Sequence, residues 1–361
     1  MNSFVPGTRT GLVLSMIAAL LLTGCRTTVD GAAVQAPKPP RPASYRQHQD
    51  AKTQEILKHA DQLRVIDPCS LFDLEAANRV GPIAYVGAAS DLSECEIRYA
   101  VPQIEEKSGY ITTTSDVPNM VKSINVGERA IDFTPGDQLS RPQRQRGCTS
   151  FVNTGYTHTA GVYEFLMFSL DISGDFGADG RSGCEELAQV VEASRPLINK
   201  PAPRATSTKL PISKLATLDP CAALDVLGVG RKIELLSASD PFRCDYRETG
   251  DKLDDTRREV DFYMAELDND PHRPPRQQFD LNDKILGVPT HFEVRQLYVE
   301  PIFRCEFTVY VGLDHPLTGS DPQSRGARWV EEIHVNGNDT SRQCKNVRQV
   351  IEEAVRAYQD A

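Results

Sequence analysis

The chain has 361 residues, of which 40 are Lys or Arg and 50 are Asp or Glu, so its formal net charge is −10 at pH 7 with histidine neutral. An acidic chain without a Lys/Arg-rich tract argues against nucleic acid as a partner and against electrostatic binding to anionic lipid. Hydrophobic residues make up 40% of the chain and charged residues 25%, which is ordinary for a globular protein.

Residues 1–24 have the anatomy of a secretory signal peptide. Arg9 gives a positive start, and the apolar stretch at 11–22 is too short to span a bilayer comfortably as a helix. The sequence LTGC at 22–25 resembles the bacterial lipobox, which lipoprotein-processing enzymes recognise. The resemblance implies cleavage before Cys25, a diacylglyceryl thioether on its sulfur and a further amide-linked acyl chain such as palmitate. Two or more acyl chains anchor a protein stably.

We therefore expect an exported protein held at the outer face of the cell membrane by the lipid on Cys25. The alternative is a plain signal peptide in which this cysteine is incidental. Residues 25–61 are expected to contain the lipid anchor and a proline-rich tether, because the segment 26–49 is rich in proline and polar residues and cannot bury a core. A modest amphipathic pattern at 50–65 predicts a helix that leads into the folded part of the chain.

The other eight cysteines repeat as two sets of four. Both sets open on Asp-Pro-Cys, at 67–69 and 219–221, and the gaps between successive cysteines are 26, 53 and 36 in the first set and 23, 61 and 39 in the second. A polar, proline-bearing stretch lies between the sets. We infer a tandem duplication, with a first repeat domain at 62–198, a linker at 199–213 and a second repeat domain at 214–361.

Each repeat predicts an α+β domain with an antiparallel sheet of about five strands and a helix at each end packed on it. Asp-Pro-Cys predicts the start of a short helix, which ends near Gly81 or Gly228. Alternating polar and apolar residues predict strands. In the first repeat these strands lie at 95–99, 110–114, 130–133, 147–152 and 162–172. In the second repeat they lie at 244–247, 260–267, 289–294, 304–310 and 329–335.

The fourth cysteine of each repeat predicts the start of an amphipathic closing helix. Apolar residues recur at the same offsets from that cysteine in both repeats, which is the spacing of one helix face. These residues are Leu187, Val190, Val191 and Ile198 in the first repeat, and Val347, Val350, Ile351 and Tyr358 in the second.

These features together resemble the actinobacterial lipoproteins of domain of unknown function 3558. The shared features are the signal and lipobox, Asp-Pro-Cys at a helix start, a cysteine before an aromatic strand and a closing helix led by cysteine. Most members carry one such domain, whereas here the pattern occurs twice across about residues 62–361. The chain lacks the tryptophan common in the family two residues after the second cysteine, where Ile97 and Tyr246 stand. The resemblance implies an extracytoplasmic α+β module, similar to ligand-sensing domains of cell-wall regulators, and no known reaction.

Four cysteines per repeat in an exported protein predict structural disulfides rather than a metal cluster or a redox centre. The sequence contains no C-x-x-C, and the eight cysteines lie at least 23 positions apart. Of the three pairings possible in each repeat, we predict the pairing of sequence neighbours, because it closes the shortest loops and keeps every bond within one repeat. The predicted pairs are Cys69–Cys95, Cys148–Cys184, Cys221–Cys244 and Cys305–Cys344.

One loop partly matches a calcium site. Asp175, Asp179 and Glu186 fall at positions one, five and twelve of an EF-hand-like loop. Position three is Gly177, which has no ligand side chain, and no helix is predicted before the loop, so a turn rich in Gly and Asp is the stronger interpretation. We expect no metal and no cofactor.

The sequence contains no G-x-S-x-G, no Walker loop, no dinucleotide fingerprint and no histidine pair at metal-ligand spacing. We therefore expect a non-catalytic sensor or accessory module that binds a small ligand or an envelope protein, rather than an enzyme. Two alternatives remain open. An envelope hydrolase would need a deep pocket with a carboxylate or histidine of shifted pKa. A carrier of apolar ligands would need a large apolar cavity between sheet and helix.

Overall fold

The computed structural model describes residues 44–100, 122–131, 138–140, 147–159, 162–172, 183–237, 240–249, 257–267, 274–297 and 302–361. The predicted signal peptide, Cys25 and the tether up to residue 43 lie outside the described residues, and so does the strand predicted at 110–114. The described residues belong to one compact unit, Pro42–Ala361.

The first half of this unit forms a six-stranded antiparallel sheet in the order β1-β2-β3-β6-β5-β4. Two helices precede the sheet and one follows it; they are α1 (Ala51–Arg64), α2 (Leu74–Val80) and α3 (Cys184–Ile198). The strands are β1 (Ile83–Ala88), β2 (Cys95–Tyr99), β3 (Lys122–Ile131), β4 (Gln138–Ser140), β5 (Gly147–Thr159) and β6 (Val162–Ile172). The predicted helix at 50–65 is confirmed by α1.

The second half forms a seven-stranded antiparallel sheet in the order β10-β11-β12-β13-β9-β8-β7. Its helices are the short α4 (Leu224–Leu227) and the closing α5 (Lys345–Asp360). The strands are β7 (Ile233–Ser237), β8 (Arg243–Glu248), β9 (Arg258–Leu267), β10 (Asp283–Ile285), β11 (Val288–Gln296), β12 (Phe303–Val311) and β13 (Arg328–Asp339).

The two sheets have the same strand order. In each, the first three strands follow one another, the last strand inserts beside the third, and the remaining strands complete the other side. The hairpin β10–β11 in the second sheet stands where the first sheet has β4 alone. The predicted α+β class with antiparallel sheets is confirmed. In the described residues the sheets have six and seven strands rather than about five, because β1, β7 and the three-residue strands β4 and β10 lack a long alternating pattern.

The helix start predicted at Asp-Pro-Cys is confirmed in the first repeat, where Asp67 is the N-cap of a 3-10 helix that begins at Pro68; in the second repeat Asp-Pro-Cys leads into α4 through a turn. The Asp67 carboxylate accepts a hydrogen bond from the Cys69 amide at 2.9 Å, and residues 68–71 form a 3-10 turn. Asp73 then caps α2 through the Ala76 amide at 2.8 Å. The α-helix therefore starts at Asp73, six residues after Asp67, because the Asp73 carboxylate supplies its N-cap. The predicted helix ends are confirmed, since glycine is the C-cap residue of both α2 and α4.

The closing helices and the disulfides agree with the sequence predictions. Three of the four matched apolar positions are buried in each helix, and Ile198 and Tyr358 pack partly buried against the same core. The four disulfides join the predicted neighbours, with Cα–Cα distances from 5.0 to 5.9 Å. Such distances are the usual ones for disulfides. Each bond ties a turn or a helix start to a central strand and holds these elements against the sheet.

One hydrophobic cluster runs through both halves of the unit. It contains Phe168 and Leu170 of the first sheet together with Phe307 and Val335 of the second. A contiguous cluster of buried side chains is the usual mark of a single core. The repeats are therefore packed on one another through apolar contacts as well as being covalently linked in sequence.

Candidate functional site

The structure places only part of the predicted site residues. Cys25, Asp175 and Asp179 lie outside the described residues, whereas Glu186 lies half-buried in the first turn of α3. Within the described ranges, no group of three or more His, Cys, Asp or Glu side chains is arranged to hold a metal ion. Among the helices in those ranges, none is both long and apolar enough to cross a membrane.

Glu331 is a buried carboxylate that holds the segment entering the second repeat. It lies on β13 with 3% of its surface exposed. Its carboxylate accepts hydrogen bonds from the Ser213 hydroxyl at 2.6 Å, the Leu215 amide at 2.8 Å and the Tyr358 hydroxyl at 2.9 Å. Three donors satisfy a buried carboxylate. Glu331 therefore fastens the predicted linker and the end of α5 to the sheet.

Glu164 occupies the equivalent place in the first repeat. Glu164 lies on β6, six residues before Leu170, which pairs with Cys148 in the strand register. Glu331 likewise lies six residues before Gly337, which pairs with Cys305 in the strand register. Its carboxylate contacts His59 Nε2 of α1 at 2.6 Å and accepts a hydrogen bond from the Thr154 hydroxyl at 2.8 Å. In both repeats, a buried glutamate thus holds the segment that precedes Asp-Pro-Cys. Neither glutamate was predicted from the sequence, although a charged residue within an apolar strand is a signal for such a buried group.

A second set of charged residues lies on the face of the second sheet that is turned away from α5. Asp261 of β9 stands directly opposite Arg243 of β8 and His334 of β13 in the strand register. The Arg243 Nε–Asp261 Oδ1 distance is 3.5 Å and the His334 Nδ1–Asp261 Oδ2 distance is 3.9 Å. Burial raises the pKa of Asp261 to about 6, against the opposing effects of His334 and Arg243.

Glu332 is the other carboxylate with a shifted pKa on this face. It stands between Tyr263 of β9 and Tyr310 of β12 in the strand register. Burial among these neighbours raises its pKa to about 7, against the opposing effect of His334. A carboxylic acid that titrates near neutral pH is able to donate and accept a proton at that pH. This face therefore carries two carboxyl groups with raised pKa values, Asp261 and Glu332.

The segment that enters the first repeat docks on the second repeat. The Tyr45 hydroxyl donates to Asp219 at 2.9 Å, and the Tyr45 amide donates to Asp225 at 2.8 Å. Arg46 bridges Asp219 and Asp61, with its Nη2 2.6 Å from an Asp219 oxygen. Residues 45–48 form a 3-10 turn.

The predicted linker docks on the first repeat in a reciprocal manner. Asp67 donates its amide to the Ala202 carbonyl at 2.9 Å, and the Arg204 amide donates to the Val65 carbonyl at 2.7 Å. The Arg204 guanidinium donates to the Leu92 carbonyl and lies 5.6 Å from the centre of the Phe242 ring. Burial lowers the pKa of Arg204 to about 10, against the attraction of Asp67. The two aspartates of Asp-Pro-Cys thus each meet the segment that precedes the other repeat.

Tyr246 and Arg258 form a polar pair inside the second repeat. They lie opposite one another on β8 and β9, on the face that carries the buried Val260 and Phe262. Tyr246 is 2% exposed and Arg258 is 7% exposed. The Tyr246 hydroxyl and Arg258 Nε have no hydrogen-bond partner in the part of the chain that the structure describes. Burial raises the pKa of Tyr246 to about 12, against the opposing effect of the Arg258 charge.

This pair lines a small polar pocket between the edge of the second sheet and α5. The pocket has room for about one water molecule. Its polar lining residues are Arg231, Tyr246, Glu248, Arg258, Asn346 and Gln349. Arg231 Nη1 and Glu248 Oε2 are 3.3 Å apart and form an ion pair. From the sequence, Tyr246 stands out only as a departure from the family pattern. Arg258 was not predicted, although it alternates in phase with three apolar residues of the same strand.

A second, apolar pocket lies where the linker meets both repeats. Its lining residues include Leu63, Ile66, Leu71, Leu166, Arg204 and Pro241. It leaves room for only a few atoms. Arg204 Nε faces this region without a hydrogen-bond partner in the described chain.

Comparison with known proteins gives no family for this chain. No protein-family model matches it, and no curated protein matches it. Among solved structures it is compared with "Crystal structure of the di-domain ARO/CYC BexL from the BE-7585A biosynthetic pathway", at 12% identity over 83% of this chain and 90% of that chain. The TM-score of 0.14 is too low to support a common fold.

Proposed function

We propose that this protein is an extracytoplasmic lipoprotein, anchored through Cys25, that binds a small ligand or an envelope protein without catalysing a reaction. The observation that supports binding is the pocket at Tyr246 and Arg258. Its buried donors have unused hydrogen-bonding capacity in the described chain, and unsatisfied buried donors are expensive in free energy. The LTGC sequence at 22–25 supports the anchor.

We also propose that the chain consists of two repeat domains that act as one body. Equal strand order in the two sheets supports the duplication. The contacts of Arg46 with Asp219, and of Arg204 with the first repeat, support a fixed joint between the domains. In this arrangement the linker at 199–213 is part of the joint rather than a free connection.

The anchor is tested by producing the full chain and a Cys25→Ser variant in a bacterium and separating membrane from soluble protein. We expect the unaltered chain in the membrane fraction with an acyl mass on its N-terminal peptide, and the variant in the soluble fraction. Thr28→Ser, three residues beyond the motif, is the matched control. Retention of Cys25→Ser in the membrane with unchanged processing would contradict the anchor.

Binding is tested on the same membrane-purified chain by native mass spectrometry. We expect one small non-covalent adduct per chain that is released when the protein is unfolded. Repeated purification with no adduct, together with no stabilisation by envelope small molecules, would contradict a small-ligand role.

A specific observation favours an envelope hydrolase as the second candidate. Glu332 and Asp261 have raised pKa values on one sheet face, and carboxylates of this kind serve as general acids or bases. Neither lines the two pockets described above. Turnover of a cell-wall or lipid substrate that is lost in Glu332→Gln and retained in Arg258→Met would favour the enzyme over the binding module.

A further inference from the structure

We infer that the second repeat contacts the lipid bilayer through an apolar turn formed by residues 226–230, the end of α4 and the turn that leads into β7. The inference rests on the proposed anchor at Cys25 and gives the anchored protein a surface that faces the membrane. The contact is apolar rather than electrostatic, in keeping with the negative net charge of the chain.

The first argument is the composition of the apolar turn. Val226 and Val229 are 54% and 63% exposed, whereas Leu227 between them is buried. The two other residues of the turn are glycines and have no side chain. The exposed side-chain surface of this turn is therefore wholly apolar. Single exposed apolar residues are common on protein surfaces, but exposed apolar residues that lie together mark interaction surfaces.

The charged residues that flank the apolar turn are already paired within the protein. On one side, the Asp225 carboxylate accepts a hydrogen bond from the Tyr45 amide at 2.8 Å. On the other side, Arg231 forms an ion pair with Glu248. Lys232 is exposed, and a lysine stem can lie along apolar surface while its ammonium stays in water. Insertion of the two valines among lipid headgroups therefore does not remove an unpaired charge from water.

The second argument is the place at which the chain from the proposed anchor enters the folded unit. Tyr45 is hydrogen-bonded to Asp225, the residue directly before Val226. Only 19 chain positions separate Cys25 from Ser44, the first described residue. A short connection keeps the apolar turn at a high effective concentration near the bilayer. A weak apolar contact is then enough to orient the anchored protein.

The third argument is that the first repeat presents polar side chains at the equivalent place. Val80 stands before a glycine ahead of β1, as Val229 stands before a glycine ahead of β7. Val80 packs partly buried against the core, and the exposed residues in the last turn of α2 are Asn78 and Arg79. The fold is thus compatible with a polar surface here. The exposed valines are a property of the repeat on which the segment from the proposed anchor docks.

The experiment measures how close the apolar turn lies to lipid in the full, lipidated chain reconstituted in phosphatidylcholine vesicles. The lipid occupies the Cys25 thiol and disulfides occupy the eight other cysteines, so an introduced cysteine is the only free thiol. A fluorophore is attached through Lys232→Cys, beside the turn, or through Lys284→Cys on β10, at the opposite edge of the same sheet. Both lysines are exposed. Quenching of each label by a nitroxide on the lipid headgroup is then measured.

We expect the nitroxide to quench the label at position 232 about 3-fold or more strongly than the label at position 284, because an inserted turn holds its neighbours among the headgroups. In the Lys232→Cys chain, Val226→Ser/Val229→Ser should lower this quenching about 3- to 10-fold, because the apolar surface that favours insertion is lost. The matched control is Leu286→Ser, which removes a 41% exposed apolar side chain from the β10–β11 turn and should leave the quenching unchanged. All variants should stay with the vesicles, because the lipid still holds them.

Two results would overturn this contact surface. One is equal quenching of the labels at positions 232 and 284, or quenching at 232 that the double serine variant leaves unchanged. The other is emission of the label at 232 that follows the protein-to-lipid ratio in vesicles without nitroxide, which would show that a second copy of the chain covers the turn. If the chain stays with the vesicles in either case, the proposed anchor stands and only the contact surface fails. If the Cys25 thiol itself takes up fluorophore and the chain leaves the vesicles, the anchor fails and this inference fails with it.

Discussion

The raised pKa of Glu332 predicts that the free energy of unfolding depends on pH. Its side chain is half-buried between two tyrosines, and burial raises its pKa from 4.5 to about 7. The folded protein therefore keeps this proton at pH values where the unfolded chain has already released it. The contribution of this group to stability is complete below pH 4.5 and is lost as the pH rises to about 7.

The perturbation is Glu332→Gln, which keeps the size and polarity of the side chain and cannot ionise. A pKa difference of about 2.5 between the two states corresponds to roughly 3 kcal/mol, which is an upper value because the group is not fully removed from water. The free energy of unfolding of the variant, minus that of the unaltered chain, should therefore rise by about 1–3 kcal/mol between pH 4.5 and pH 8.

The assay is urea-induced unfolding of the oxidised chain at several pH values. The chain has one tryptophan, Trp329, which is buried three residues before Glu332 on the same strand, so its fluorescence reports this region. Glu352→Gln on α5 is the control, because the 3.8 Å contact of this glutamate with Arg356 is a helix-surface pair of small expected energy. A stability difference for Glu332→Gln that stays constant from pH 4.5 to pH 8 would refute the reasoning.

The remaining predictions concern the buried Glu331 and the bridging Arg46, and each is measured by urea unfolding at constant pH. Glu331→Leu should lower the free energy of unfolding by about 3–5 kcal/mol, because it leaves three buried donors without their acceptor. The control is the exposed Glu75→Leu; a loss of stability in Glu331→Leu no larger than in this control would show that the donors find other partners. Arg46→Met should lower the free energy of unfolding by about 1–3 kcal/mol, because Asp61 and Asp219 lose a shared cation. The control is the exposed Arg79→Met, which should lower the free energy of unfolding by less than about 0.5 kcal/mol. Equal effects of the two variants would contradict a fixed joint.

The sequence predicts well those features that depend on local patterns or on the duplication. The helix α1 and the closing helices follow from apolar spacing, which is set within a few turns of chain. The disulfide pairs follow from the repeated cysteine spacing, because neighbouring cysteines close the shortest loops. The signal peptide, the anchor and the calcium-like loop at Asp175 and Asp179 remain predictions.

The sequence does not predict features that depend on strand register or on contacts between the repeats. Arg258 meets Tyr246 only because β8 and β9 pair in one register, and both meet α5 only after about a hundred further residues have folded. The role of Glu331 in holding the predicted linker follows only when β13 is known to lie beneath that segment. Asp-Pro-Cys predicts a helix start but not whether a 3-10 helix or an α-helix follows, because both begin with the same capping residues.

The reciprocal docking supports the proposal that the two repeats act as one body. Asp67 and Asp219 each cap the turn of their own repeat through the cysteine amide at 2.9 Å. Each also meets the segment that precedes the other repeat: the Asp67 amide donates to the Ala202 carbonyl, and the Asp219 carboxylate accepts from Arg46. Separation of the repeats would leave these acidic and basic groups without their partners and would expose part of the shared core. The proline-bearing composition at 199–213 is therefore compatible with a firm joint, because its backbone groups bond to the first repeat and its side chains reach the second.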